Sequence, residues 1–100
     1  MPQELVTIFD GEGEVIATAA VELQGDYYSG TSNIDRMPNS LRKLFEEFEE
    51  IVNGQIFSRL DQIETRIASF PFSATFATGR EFRIAKLQIF PNEGTLSFKI

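Results

Sequence analysis

The side chains most used for nucleophilic, acid–base and zinc chemistry near neutral pH are missing from this sequence, which contains no cysteine and no histidine. Any chemistry must come from carboxylates, hydroxyls, tyrosines and a few bases. Three carboxylates crowd into Asp10-Gly11-Glu12-Gly13-Glu14. Oxygen ligands on a glycine-rich loop suit Ca²⁺ or Mg²⁺, but the spacing is not that of an EF-hand and most coordination positions would stay unfilled. The stretch reads as a solvated hairpin tip, and no metal or cofactor is expected. Glu46, Glu47, Glu49 and Glu50 form a second acidic group. Paired carboxylates do acid–base work when burial separates their pKa values. These four lie away from the apolar stripe of their segment and read as a solvated face. Arg42 and Lys43, four residues ahead of Glu46 and Glu47, offset part of their repulsion.

Two groups suit binding rather than catalysis. Arg80, beside Gly79 in a turn, combines a guanidinium with free backbone N–H groups, and with Arg83 and Lys86 it makes the only basic cluster of the C-terminal third. Such a set can hold a carboxylate or phosphate, although Thr78-Gly79-Arg80 is too short for a phosphate loop. Tyr27 and Tyr28 head the polar run Tyr27–Asn33, whose amphipathic rings and small hydroxyls suit adaptable recognition. The candidate ligand-binding residues are therefore Tyr27, Tyr28, Asn33, Arg80 and Arg83.

These residues must be positioned by elements the pattern implies. Leu5–Phe9 and the alternating run Val15–Leu23 flank the Asp10–Glu14 turn, so residues 1–24 read as a β-hairpin. Residues 25–38 are rich in Gly, Ser, Asn and Asp without sustained periodicity, and read as a long loop. Leu41, Leu44, Phe45, Phe48, Ile51 and Val52, continued by Ile56, Leu60, Ile63 and Ile67, keep helical phase through 39–69. Asn39 or Ser40 caps the start, Pro71 ends the helix near Ser69, and Asn53-Gly54 favours a break into two helices. Residues 70–100 read as a three-stranded meander, with turns at Thr78-Gly79-Arg80 and Pro91–Gly94. Within its middle strand the apolar phase switches from Phe82 and Ile84 to Leu87 and Ile89, as a β-bulge near Ala85-Lys86 would produce.

The expected fold is a single α+β domain over 1–100: an antiparallel sheet of about five strands with the helices packed on one face. Ten of the twelve aromatics are Phe, and Phe45, Phe48, Phe72, Phe76, Phe82 and Phe98 read as the core between the two layers.

Charge narrows the partners. A net charge of −6 repels phosphate backbones and anionic lipids, so neither nucleic acid nor membrane is expected. Residues 1–50 hold eleven acids and three bases, whereas 51–100 hold four acids and six bases, a polarity that would let two copies pair acidic end to basic end. Met1-Pro2-Gln3-Glu4 shows no basic region ahead of an apolar stretch, which favours the cytoplasm. With no catalytic spacing in view, the leading expectation is a non-catalytic protein-interaction domain acting as a homodimer. Three features favour it: the polarised charge, surplus apolar helix, and an alternating final strand offering an open edge. The alternative is a small-ligand or anion-binding regulatory domain using the Tyr27–Asn33 segment and Arg80.

Overall fold

The computed structural model describes residues 3–100; Met1 and Pro2, where the leader reading begins, lie outside the described residues. Strands β1 (Glu4–Phe9), β2 (Val15–Gln24) and β3 (Tyr27–Asn33) precede helices α1 (Asn39–Asn53) and α2 (Phe57–Ala68). Strands β4 (Ser73–Phe76), β5 (Glu81–Arg83), β6 (Ala85–Phe90) and β7 (Thr95–Lys99) follow. All seven strands join one antiparallel sheet in the order β5-β4-β1-β2-β3-β7-β6. The α+β class and the antiparallel sheet hold; the strand count is seven rather than about five.

Both extra strands have physical causes. Segment 27–33 is not a loop: β3 pairs along its whole length with β2 and, over Tyr27–Thr31, with β7. Its inward positions are Tyr28, Gly30 and Ser32, across from Leu23, Val21 and Ala19, so it carries one large apolar group and shows no alternation. Backbone pairing on two sides makes it a strand nonetheless. Only residues 34–38 remain as connection, with Ile34 and Met37 buried and the Asp35 N–H donating to the Asn33 carboxamide oxygen at 2.9 Å.

The second difference concerns the expected meander. Its middle strand divides at Ile84: Glu81–Arg83 pairs with β4, whereas Ala85–Phe90 pairs with β7. β5 and β6 are thus opposite edges of the sheet joined by one residue. Consecutive Cα atoms are about 3.8 Å apart, so the two edges come within roughly 7 Å at this joint. The sheet must curl into a half-barrel. Its interior shows the curl directly, because the Tyr28 and Phe76 ring centroids lie 5.2 Å apart although β1 and β2 separate their strands. Three strand steps in a flat sheet would span about 14 Å.

Two bulges assist the bending. On β2, Ile8 faces Ala17 and Phe9 faces Val15, leaving Ile16 as the extra residue. Ile16 is fully buried beside Ala17, so it takes the inward place that strict alternation assigns to Val15. On β6, one extra residue lies between the Ala85–Lys99 and Gln88–Ser97 pairs, and Lys86 adopts a left-handed φ of 53°. This is the bulge that the phase switch predicts. Gly30 serves the same curvature, since a Cβ there would drive into the Ala20 carbonyl on β2.

The helices break as Asn53-Gly54 suggests, but the left-handed residue is Gln55, with φ 56°, rather than the glycine. The Ile56 N–H donates to the Ile51 carbonyl and that of Gln55 to Val52, a Schellman closure. At the N-terminus the expected Asn39 or Ser40 cap is not made. Pro38, at φ −60° and ψ 145°, is the capping position, and its carbonyl accepts the Arg42 N–H at 2.9 Å.

Leu41, Leu44, Phe45, Phe48 and Ile51 of α1, with Ile63 and Ile67 of α2, join the inward residues of the sheet in one buried core. Phe45, Phe48, Phe72, Phe76 and Phe98 are buried there and Phe82 half-buried, as their stripes imply.

Glu49 does not lie on the solvated face expected of all four glutamates. It is 1 % exposed, and its carboxylate accepts the Asn92 and Glu93 N–H groups of the β6–β7 turn at 3.1 and 3.3 Å. Glu49 lies four residues after Phe45, on the margin of the buried stripe. Glu47 also turns inward to the helix pair, accepting Arg59 at 2.9 Å and Arg66 at 3.2 Å from α2, while Glu46 meets Arg42 at 3.8 Å.

Gly30→Ala is expected to lower stability by about 2 kcal/mol or more in urea unfolding, because neither backbone can yield without opening the curl. Glu49→Ala is expected to cost about 2 kcal/mol in the same measurement, through two backbone donors losing a charged acceptor.

Candidate functional site

The closing strand that joins the sheet edges also forms one wall of a cleft. Arg83 ends β5, Ile84 makes the joint, and Lys86 projects from the bulge at the start of β6. The facing wall is α2, where Asp61, Glu64, Thr65 and Ala68 recur at helical spacing along one face. Phe48, Ile67, Phe72 and Leu87 form an apolar floor that is otherwise buried, and Phe70, 43 % exposed, stands at the rim with its ring stacked 5.7 Å from Phe72. The cleft has a volume of about 510 Å³, within the usual range of small-molecule sites.

Its charges are arranged by sign. Asp61 and Glu64 stand on the helical wall, Arg83 and Lys86 on the strand wall, and all four are exposed. None of them takes part in the four ion pairs found among the described residues. The Thr65 hydroxyl donates to the Asp61 carbonyl at 2.8 Å, so it belongs to the helix. The arrangement offers an apolar bed between a negative and a positive wall, suited to holding a molecule by burial and charge together.

A second depression, about 560 Å³, lies on the outer face of the sheet. Thr7, Thr18, Ala20, Thr31 and Thr75 line it, with no charged residue. It is more open than the cleft, and it offers hydroxyls without a charged anchor.

Of the five residues singled out from the sequence, Arg83 lies in the cleft. Tyr28 points into the half-barrel, its ring stacked 5.4 Å from Phe98 at an interplanar angle of 17° and 5.2 Å from Phe76. Arg80 lies over the Phe82 ring at 5.0 Å, and Phe82 packs on Phe76, so Tyr28 and Arg80 share one aromatic cluster. Tyr27, the neighbour of Tyr28 in an extended strand, projects to the opposite face. Asn33 ends β3, about 20 Å along the strand from Tyr27. The structure therefore brings Tyr28 and Arg80 towards one another and places Asn33 and Arg83 elsewhere. Asp61, Glu64 and the apolar floor carry no local sequence signal of a site. Lys86 groups with Arg83 in the sequence, but the opposing acids lie some twenty residues upstream, and only the fold sets them face to face.

The features that favoured a second copy also find places within one chain. The alternating last strand is β7, an interior strand paired with β3 and β6. Ile63 and Ile67 are buried and Leu60 packs against the core, while Ile56 stays 41 % exposed. The C-terminal strands flank the N-terminal ones on both sides, so the acidic and basic halves of the sequence do not form two separate ends of the sheet. No helix among the described residues is long and apolar enough to cross a membrane. No family model, no curated protein and no solved structure matches the chain.

A left-handed conformation costs an ordinary residue roughly 1–2 kcal/mol, partly offset in the comparison by the greater unfolded-state freedom of glycine. Lys86→Gly is therefore expected to raise stability by about 0.5–1 kcal/mol in urea unfolding while removing a cation from the cleft. A fall in stability would mean that the lysine side chain itself supports the bulge.

Proposed function

We propose that this chain is a non-catalytic binding domain that holds a small molecule in the cleft between α2 and the β5–β6 strand. The observation that carries this reading is the cleft's composition: an apolar floor continuous with the core, rimmed by four exposed charges that make no ion pair. The exposed Phe70 ring at the rim and charges left without partners are features that a bound molecule would satisfy. Lys86 adds support, since a left-handed lysine at the rim keeps a strained backbone where glycine is the usual residue.

A fluorescent aromatic sulfonate, 1-anilinonaphthalene-8-sulfonate, has the apolar body and anionic group to probe the site. Its emission is expected to rise with the folded wild-type protein and to lose most of that rise with Ala68→Trp, which fills the cleft from an exposed helical position. The two proteins should melt within a few degrees of one another, which excludes dye binding to a loosened core. Equal emission from both proteins, or no rise with either, would overturn the proposal.

A further inference from the structure

Three properties of the cleft restrict what it accepts. Its volume of about 510 Å³ equals that of about seventeen water molecules at roughly 30 Å³ each, which is room for a small molecule and not for a folded partner. Its exposed rim ring, Phe70, over the floor of Phe48, Ile67, Phe72 and Leu87, favours an apolar body. Its walls oppose Asp61 and Glu64 to Arg83 and Lys86. A purely anionic molecule on this floor gains from Arg83 and Lys86 but leaves two carboxylates unmatched, and a purely cationic one gains from Asp61 and Glu64 but leaves a guanidinium and an ammonium unmatched. A molecule with one charge of each sign, set at opposite ends, meets both walls favourably.

A longer peptide added as an extra strand to β6 fits poorly. The bulge at Lys86 interrupts the regular backbone of that edge, and α2 packs against the same strand. The occupant must lie in the cleft as a short molecule rather than extend the sheet.

Resting on the reading of the cleft as a binding site, we infer that its ligand is a short zwitterionic peptide of about two apolar residues. Its carboxylate is held by Arg83 and Lys86, its ammonium by Asp61 and Glu64, and its side chains by the Phe48–Phe72–Leu87 floor. Two residues extend at most about 7 Å between their ends, so the charges stay apart while the side chains descend between them. Arg83 offers the carboxylate a planar fork, and Lys86 offers a movable point charge beside it. No bond is made or broken.

The test uses L-leucyl-L-phenylalanine, its N-acetyl derivative and its C-terminal amide, titrated into the full chain and followed by amide NMR shifts. The parent dipeptide is expected to move the resonances of Glu64, Thr65, Ala85, Lys86 and Leu87. Acetylation and amidation, each removing one charge, are expected to weaken binding about fivefold, the effect of one partly exposed ion pair. In the Asp61→Asn/Glu64→Gln double variant the parent and acetylated forms should bind alike. In Arg83→Gln/Lys86→Gln the parent and the amide should bind alike. Exposed polar substitutions of this kind leave the fold intact, which the unchanged remainder of each spectrum verifies. If all three compounds bind the wild type equally, the zwitterion inference falls and the cleft stands as a site for apolar peptides. If none moves the cleft resonances, the inference falls, and the sulfonate titration shows separately whether the cleft reading falls with it.

Discussion

One residue between two sheet edges governs this structure. Ile84 separates β5 from β6, and those strands hydrogen-bond to β4 and β7 on opposite sides of a seven-stranded sheet. A flat sheet cannot satisfy that connectivity, because its edges would stand several strand widths apart. Curling is therefore a requirement of the chain rather than a consequence of twist alone. The inward aromatics Tyr28, Phe76, Phe82 and Phe98 meet because of it. Gly30 is small and two bulges occur in the long strands for the same reason.

The helices are secured to this curled sheet by apolar contact and by one buried carboxylate. Glu49 reaches from α1 to backbone donors in the β6–β7 turn, so its charge is met by hydrogen bonds in a place where an unpaired carboxylate would be costly. Glu47, more exposed, bridges to Arg59 and Arg66 and sets α2 beside α1; screening by water makes that bridge worth less than the apolar packing below it. With α1 held at the turn and α2 held to α1, the outer face of α2 stands opposite the joint at Ile84. The cleft lies between α2 and the strand that carries the bulge at Lys86.

That space differs from the other open surface in how its polar groups are used. The threonines of the outer sheet face lie on strands already paired on both sides and carry no charge. The cleft holds charges of both signs over aromatic and branched side chains. Under the proposed binding role, selectivity would come from the order of charges along the ligand, and affinity from its apolar contacts.

Local patterning determined much of this protein. The β1–β2 hairpin, the helical stretch and its interruption at Asn53-Gly54, the β6–β7 turn and the bulge at Ala85-Lys86 all follow from periodicity and turn chemistry within a few residues. The absence of cysteine and histidine restricted the chemistry before any fold was known. Tertiary structure alone decided the rest. β3 is a strand because two neighbours pair with it, although Gly30 and Ser32 leave no apolar alternation to read. Segment 81–90 belongs to two edges because each half pairs with its own sequence neighbour, β4 or β7, and the sheet places those neighbours near its opposite ends, which nothing local to Ile84 encodes. Glu49 is buried because its donors, Asn92 and Glu93, arrive from more than forty residues away. The cleft has the same origin: Asp61 and Glu64 acquire meaning only opposite Arg83 and Lys86, and that opposition exists only once the sheet has curled. Periodicity reports which side of an element faces the core, whereas the pairing of distant elements depends on the summed fit of the whole chain.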